Sequence, residues 1–279
     1  MNKIKTILIK KDIISSTGAI VIPKGKLLKL NMHTIDKLKL HGVYYEVLDL
    51  INNQSQITNT SSNENLIEVL SNNNPCIQRL KNNDLKKYHI ILDIMNKFLF
   101  ESKNEEWYLY LNTLFNGYNW YYSHSIDVAF ISALIGLTLG CKKDQIHTLI
   151  LGSLLHDIGI ILLPKNILFK DKNLFTLEEK DIFEKHSSLG YEMTKNLSIP
   201  KTCKNIILDH HKLLNGGGYP DSEDGYELST ESKIIIVSDY FDSETTAKKT
   251  PEEIITYMIN NPNNFPIEIV AILKNVFKL

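Results

Sequence analysis

An ionisable pair, His156-Asp157, directly follows a strongly apolar stretch, and this placement constrains the fold more than any other feature. Residues 149–155 read Leu-Ile-Leu-Gly-Ser-Leu-Leu, the composition of a buried helix. Burying unpaired ionisable groups beside such a run costs on the order of several kcal/mol. A metal ion offsets that cost, because neutral imidazole and carboxylate are good metal ligands. A histidine that pairs only with its neighbouring aspartate is the alternative interpretation.

Four more histidines and one more aspartate recur at intervals of roughly 25 to 30 residues: His124, His186, His210, His211 and Asp239. Each interval fits one helix and its connection, and packed helices can each contribute a side chain to a shared interior site. The five histidines and two aspartates of the whole set exceed one ion's needs and suit two ions that share a bridging water. The adjacent pair His210-His211 has a second interpretation, as two solvent-facing side chains.

Apolar residues recur at helical spacing through most of residues 67–279, which predicts an all-α domain there. A capping box, Thr176-Leu177-Glu178-Glu179, opens one helix that is expected to run to about His186. The other predicted helices are 85–100, 121–139, 146–157, 201–212, 231–245, 251–259 and 266–277. Loops are expected at 164–175 and 214–227.

The first 50 residues predict a small α/β domain that precedes the helical one. Strands are expected at 4–9, 19–22 and 43–48, and a helix at 33–40. Residues 51–66 are rich in Asn, Ser and Thr and cannot bury enough apolar area to offset chain ordering. They predict a polar linker, and the fold class is therefore mainly α with a small α/β unit at the N-terminus.

Charge and composition narrow the classes of partner and location. The formal net charge is −1, so no overall positive field favours DNA. No apolar run approaches the ~18 residues of a membrane span, and no signal peptide is visible, so we expect neither. The three cysteines, Cys76, Cys141 and Cys203, are scattered, which fits buried thiols in a reducing compartment. We expect a cytoplasmic protein.

Several motifs together resemble one family. His156-Asp157-Ile158-Gly159 is followed by His210-His211 and, seven residues later, by Gly218-Tyr219-Pro220. With these motifs the sequence resembles the HD-GYP domain, a branch of the HD phosphohydrolases, from about residue 121 to residue 271. Further matching blocks are His124-Ser125, Pro164-x-x-Ile167-Leu168-x-Lys170, Thr176-x-x-Glu179, His186-x-x-x-Gly190 and Asp239-x-x-Asp242-x-x-Thr245.

The resemblance implies a helical bundle that hydrolyses cyclic di-GMP to pGpG or GMP in second-messenger signalling. It also implies an iron or manganese centre of two divalent ions, with His156 and Asp157 at the catalytic position and Asp157 as the expected bridge. The implied metal ligands are His124, His156, Asp157, His186, His210, His211 and Asp239. The Gly218-Tyr219-Pro220 loop is associated in such proteins with substrate access and with contacts to diguanylate cyclase domains. A homodimer is a further expectation.

The sequence departs from the family pattern where a phosphate would be held. Ile160 stands where the family usually has Lys after His-Asp-x-Gly, and Lys212 and Asn215 replace the usual Glu and Asp. Lys248 lies where an Arg-Pro-Tyr run is expected. Members with three metals carry Glu four residues before the first histidine, whereas this chain has Trp120, so we expect two metals.

The expected substrate contacts are Lys170, Gly218, Tyr219, Pro220 and Lys248. Because the departures spare all the expected ligands, two alternatives to the phosphodiesterase remain. One is a catalytically impaired module that binds a nucleotide or a signalling partner. The other is a hydrolase of a different cyclic dinucleotide.

Overall fold

A computed structural model describes residues 74–221, 226–247 and 249–279, together with four short strands nearer the N-terminus. The chain divides into two compact units, Met1–Asn63 and Glu64–Leu279. The predicted helix 33–40, the predicted strand 43–48 and the predicted linker 51–66 lie outside the described residues.

The described part of the first unit consists of antiparallel strand pairs. Its strands are β1 (Lys5–Leu8), β2 (Ile13–Ile14), β3 (Ile20–Ile22) and β4 (Leu27–Leu30). β1 pairs with β4, with Lys5 opposite Leu30, and β2 pairs with β3. β1 and β3 fall within the two predicted strands 4–9 and 19–22. The α/β character of this unit stays a prediction.

The second unit is helical throughout its described part, which confirms the prediction of a mainly helical domain. Its α-helices are α1 (Pro75–Asn83), α2 (Leu85–Glu101), α3 (Tyr108–Gly117), α4 (Asn119–Thr138), α5 (Lys143–Leu155), α6 (Lys165–Leu168), α7 (Leu177–Glu184), α8 (His186–Thr194), α9 (Lys201–Asp209), α10 (Thr230–Thr246), α11 (Pro251–Asn260) and α12 (Ile267–Phe277). Two 3-10 helices lie between them, Ile158–Leu162 and Lys172–Leu174.

Helices α4 and α5 form the centre of this domain. α4 packs against α5, α10, α12, α3 and α2, and α5 also packs against α9. Helices that are apolar on every side are buried, and the middle of α4 follows this rule, with Phe130, Ile131 and Leu134 inside the core. The two helices therefore supply a rigid base for polar side chains at their ends.

The structure differs from the sequence-based prediction in one expected loop and at the ends of several helices. The expected loop 164–175 contains α6 and a 3-10 helix, because the carbonyl of Pro164 accepts the amides of Ile167 and Leu168, whose side chains are buried. The helix predicted to run from the Thr176 capping box to about His186 is α7, which ends at Glu184, and a further helix that was not predicted, α8, begins at His186. The expected helix 201–212 ends at Asp209 in a turn.

One segment, Lys143–Leu162, is long and apolar enough by composition to cross a membrane, and 72% of its most apolar window is buried inside the domain. A core helix of a globular domain has the same length and composition. The expectation of no membrane span stays a prediction.

Candidate metal centre

The structure brings the seven expected ligands together in the interior of the helical domain. His124 lies on α4, His156 and Asp157 directly follow α5, His186 begins α8, and Asp239 lies on α10. His210 and His211 directly follow α9. Six of the seven are buried, and only the side chain of His211, 25% exposed, reaches the surface of the cluster.

Six of these expected metal ligands form two groups that share Asp157. One group contains Asp157, His186, His210 and His211, and the other contains His124, His156 and Asp157, with the ligand atoms of each group within 4.8 Å of one another. The Oδ1 atom of Asp157 lies 3.2 Å from Nε2 of His186, whereas its Oδ2 atom lies 3.5 Å from Nε2 of His156. The two oxygens of one carboxylate thus face different groups, as a bridging ligand requires.

Asp239 also spans the two groups. Its Oδ1 atom lies 2.9 Å from Nε2 of His124, and its Oδ2 atom lies 3.5 Å from Nδ1 of His211. A carboxylate from α10 therefore joins ligands from α4 and from the turn after α9.

A close backbone approach places His186 beside Asp157. A Cβ atom added to Gly159 would lie 1.9 Å from the carbonyl oxygen of His186 and 2.6 Å from the amide of Gly190. Only glycine permits this contact between the turn after Asp157 and α8. The glycines of the His-Asp-x-Gly and His-x-x-x-Gly motifs thus have a packing role.

Three histidines are oriented by the backbone. The Nδ1 atoms of His156, His186 and His210 each donate to the carbonyl three residues earlier, at 2.6, 2.7 and 2.9 Å. A carbonyl oxygen can only accept, so the neutral ring carries its hydrogen on Nδ1 and turns the lone pair of Nε2 into the site.

These inward Nε2 atoms lie close to other ring nitrogens, which bears on whether the site suits a cation. Nε2 of His186 lies 3.1 Å from Nε2 of His210, and Nε2 of His156 lies 3.3 Å from Nε2 of His124. Facing lone pairs repel unless a proton or a metal ion lies beside them. A donor set of imidazoles and carboxylates fits divalent transition metals.

The electrostatics of the cluster favour the forms that bind metal. Burial lowers the pKa of His156 to about 4, and burial together with the charge of His210 lowers the pKa of His211. Burial alone would raise the pKa of Asp157, but His156, His186 and His210 hold it well below its usual range. At neutral pH His156 and His211 are therefore neutral, and Asp157 is ionised.

His124 is the exception. Burial opposes its protonation, but hydrogen bonds to Asp239 and Asp242 outweigh burial and raise its pKa. Its Nδ1 atom lies 2.6 Å from Oδ2 of Asp242. The two carboxylates thus favour the protonated ring, and Nε2 would have to lose its proton before it could bind a metal.

Sequence reasoning assigned Asp242 a supporting role, but it missed two other residues near His124. Asn74 donates to Asp242, and Asp127 is buried with an Oδ1 atom that no hydrogen bond reaches in the described part of the chain. Burial and the charge of Asp242 raise the pKa of Asp127. Its position three residues after His124, on the same helix face, was the available signal; no sequence signal linked Asn74 to the site.

Trp120 covers one face of His124. The rings are 5.2 Å apart between centroids and 10° from parallel, one helical turn apart on α4. The indole thus occupies space next to the ligand where some family members are expected to carry a glutamate.

The predicted substrate loop lies against the exposed ligand. Gly218 has a φ of +83°, and a Cβ atom there would lie 2.1 Å from the carbonyl oxygen of His211. The amide of Tyr219 donates to the same carbonyl at 3.2 Å, and its ring lies 4.6 Å from the His211 ring. Pro220 follows through a cis peptide bond. The loop therefore sits at the open side of the cluster.

Of the two lysines expected to contact the substrate, Lys170 has another partner and Lys248 lies outside the described residues. Nζ of Lys170 lies 2.6 Å from Glu179 at the start of α7, and no described contact joins it to the cluster. Ile160 is fully buried, one turn of 3-10 helix beyond Asp157.

Lys212 directs its charge into the protein. Its Nζ atom lies 3.2 Å from Oδ1 of Asp209 and 4.0 Å from the centroid of the Tyr226 ring, and the hydroxyl of Tyr226 donates to Asp209 at 2.6 Å. This buried ion pair neutralises the cation next to His211. Asn215 is bonded to Asn264 at 2.9 Å.

Comparisons with known proteins agree with this geometry. Residues 108–264 match the HD domain family. The chain is 30% identical over 125 residues to the cyclic di-GMP phosphodiesterase response regulator RpfG of Xanthomonas campestris, covering 44% of this chain and 32% of that protein. It is 32% identical over 120 residues to the 3′3′-cGAMP-specific phosphodiesterase 3 of Vibrio cholerae, covering 43% and 26%. The match thus spans about a third or less of each relative.

A solved structure extends the comparison to the whole chain. Bd1817, an HDG"Y"P protein from Bdellovibrio bacteriovorus, matches 99% of this chain and 100% of its own, with a TM-score of 0.53 and 15% identity. At that identity the likeness shows the fold alone.

Proposed function

The chain belongs to the HD domain family, and on that basis we propose that it is a metal-dependent phosphodiesterase that hydrolyses cyclic di-GMP to pGpG or GMP. The observation that carries the proposal is the pair of donor groups that share Asp157. Two ions across one carboxylate suit phosphodiester hydrolysis, because such a pair can act on both the entering and the leaving oxygen.

Each ligand has a proposed role in this site. Asp157 would bridge the two positions, His186, His210 and His211 would complete one, and His124 and His156 would complete the other. Asp239 lies between them and neutralises part of the added charge. We propose iron or manganese, because imidazole and carboxylate together suit both metals.

When bound, the two ions would supply Lewis acidity and an activated water. The protein's own contribution is orientation: the backbone carbonyls hold His156, His186 and His210 with Nε2 inward. The loop Gly218-Tyr219-Pro220 would line the entrance beside His211. Lys170 and Lys248 are proposed phosphate contacts, and Lys170 would first have to leave Glu179.

Metal analysis followed by a hydrolysis assay tests the proposal. The chain is purified anaerobically, its metals are counted, and cyclic di-GMP is added with Fe(II) or Mn(II). We expect about two metals per chain and a linear product, and expect both to be lost in Asp157→Ala. A chain without metal, or Asp157→Ala with wild-type turnover, would refute the site.

A different cyclic dinucleotide is the second candidate, supported by the similarity to a 3′3′-cGAMP-specific phosphodiesterase. The ratio of kcat/KM for 3′3′-cGAMP and for cyclic di-GMP decides between them. A ratio well above one would make 3′3′-cGAMP the proposed substrate, and the proposed metal site would stay the same.

A module that binds without turnover is the third candidate. The residue three positions after Asp157 is the apolar, buried Ile160, and the charges of Lys170 and Lys212 are paired with Glu179 and Asp209. Calorimetry with cyclic di-GMP would then show binding by a metal-loaded chain that forms no product.

The remaining assignments are proposals from the sequence. We propose an α/β unit at residues 1–50, a linker at 51–66 and the phosphohydrolase domain at 67–279, in a cytoplasmic protein that can form a homodimer. Diguanylate cyclase domains are proposed partners of the Gly218-Tyr219-Pro220 loop. Light scattering of the full chain, alone and with such a domain, tests both associations.

A further inference from the structure

The side chain of Asn74 makes two different kinds of hydrogen bond from a buried position. Its Oδ1 atom accepts from the backbone amides of Cys76 and Ile77, at 2.9 and 3.3 Å, and so caps the start of α1. Its Nδ2 atom donates to Oδ1 of Asp242 on α10, at 2.5 Å. The side chain is 3% exposed, so both contacts are sheltered from water.

Asp242 also contacts His124, one of the expected metal ligands. Its second oxygen, Oδ2, accepts from Nδ1 of His124 at 2.6 Å. That bond places the ring hydrogen on Nδ1 and directs Nε2 of His124 toward Asp239, 2.9 Å away. The orientation of His124 thus depends on where the Asp242 carboxylate is held.

We propose that Asn74 is a positioning residue for the metal centre, acting through Asp242 on His124. The inference rests on the proposed metal site. Among good capping side chains, only the amide of asparagine has its acceptor and its donor on two different atoms, so that one can cap a helix while the other donates to a carboxylate. Aspartate, serine and threonine would cap α1 but would leave Asp242 without this donor. Partners of metal-binding histidines typically change metal affinity by about 10–100-fold.

The variant Asn74→Asp separates the two contacts. The new carboxylate keeps the acceptor for α1 but removes the donor and places a second anion against Asp242. We expect the dissociation constant for Mn(II), measured on metal-free protein by competition with a chromophoric chelator, to rise by about 10-fold or more. Thermal unfolding without metal reports the folded state.

A matched control removes a helix cap away from the site. Asp84 caps α2 by accepting from the amide of Lys87 at 3.1 Å. Asp84→Ala should lower the unfolding temperature without changing the dissociation constant for Mn(II). Equal loss of affinity in both variants would show that any lost cap has this effect, and the inference would be wrong.

A reciprocal exchange tests the route through Asp242. In Asp242→Asn alone, the single amide oxygen can accept from Asn74 or from His124 but not from both, so the new NH2 group opposes a donor on the other side. In the double variant Asn74→Asp/Asp242→Asn, donor and acceptor are exchanged, so the bond can form again. We expect the double variant to bind Mn(II) more tightly than the product of the two single effects predicts. Strictly multiplicative effects would overturn the inference.

The outcomes separate this inference from the proposed function. If wild type binds no metal, the proposed site and the role of Asn74 fall together. If wild type and Asn74→Asp bind equally well, the site stands and the role of Asn74 is refuted. Should Asn74→Asp fail to fold, Asn74→Ser takes its place with the same expectations, since its hydroxyl can cap α1 but the shorter side chain lacks the Nδ2 atom that donates to Asp242.

Discussion

The Nε2 atoms of His186 and His210 lie 3.1 Å apart, although both rings already donate their Nδ1 hydrogen to a backbone carbonyl. Two neutral rings held in this way present lone pairs to each other. Such facing lone pairs repel, and a cation beside the pair would relieve the repulsion.

Metal should stabilise the domain for this reason. At a free Mn(II) concentration about 100-fold above its dissociation constant, binding adds about 2.7 kcal/mol to the unfolding free energy. We expect Tm to rise by roughly 5–10 °C and a chelator to reverse the rise. His186→Ala should abolish most of the shift, whereas His89→Ala, at an exposed position on α2, should retain it. A metal-dependent shift that survives in His186→Ala would contradict the assignment.

Asp157→Asn should weaken both metal positions at once, because its two oxygens face different donor groups. The variant keeps the shape of the side chain but loses its charge. We expect the metal content to fall to less than about half that of wild type and turnover to fall by about 100-fold or more. Metal analysis and the hydrolysis assay measure both effects. Asp93→Asn, exposed on α2, is the control, and an intact second metal in Asp157→Asn would rule out bridging.

Gly218→Ala should displace the loop from His211. Alanine at positive φ costs about 1–2 kcal/mol, and the added Cβ would also collide with the His211 carbonyl. Gly216 has a φ of +82° with no atom within 4 Å of an added Cβ, so Gly216→Ala has the conformational cost alone. We expect a larger loss of stability and a higher KM for Gly218→Ala. Equal effects of the two substitutions would show that the contact with His211 does not matter.

Ile160→Lys should restore a cation near the substrate phosphate. Residues three apart in a 3-10 helix lie on the same side, so residue 160 follows Asp157. Because Ile160 is fully buried, we expect a lower Tm but a rise in kcat/KM approaching the roughly 10²–10³-fold effect of one preorganised donor. Ile160→Met, long and uncharged, controls for the change of shape. A lysine variant no faster than the methionine variant would mean that the missing cation does not limit turnover.

His156 should make the metal-free domain less stable in acid. Burial lowers its pKa from 6.5 to about 4. Between these values the unfolded chain binds a proton that the folded chain does not, so the unfolding free energy falls as pH falls. The contribution is fully present above pH 6.5 and is lost by about pH 4, a change of about 3 kcal/mol.

Urea denaturation in a chelator measures this change as the difference between wild type and His156→Gln at each pH. As the pH drops, the unfolding free energy of wild type should fall relative to that of His156→Gln. A parallel pair of pH curves would mean that His156 has the same pKa folded and unfolded.

The helical class of the second unit and the residues of its polar cluster could both be predicted from the sequence. Helical periodicity is a local property, and the glycines and histidines of the motifs are legible along the chain. The sequence also indicated that Ile160 and Lys212 depart from the family pattern at positions where a phosphate is expected to be held. Helix ends were less predictable, because the break at Lys185 and the turn after Asp209 depend on the neighbouring helices.

The partners of the polar groups could not be predicted from the sequence, because they depend on how the helices pack. Asn74 and Asp242 are 168 residues apart, and Lys212 has its charge taken by Asp209 rather than left for a substrate. Which oxygen of Asp157 faces which histidines follows from the packing of α4, α5, α8, α9 and α10. Periodicity tells which face of each helix is buried, but the choice of partner for a buried donor or charge depends on distances of a few ångströms, which are set when the helices pack.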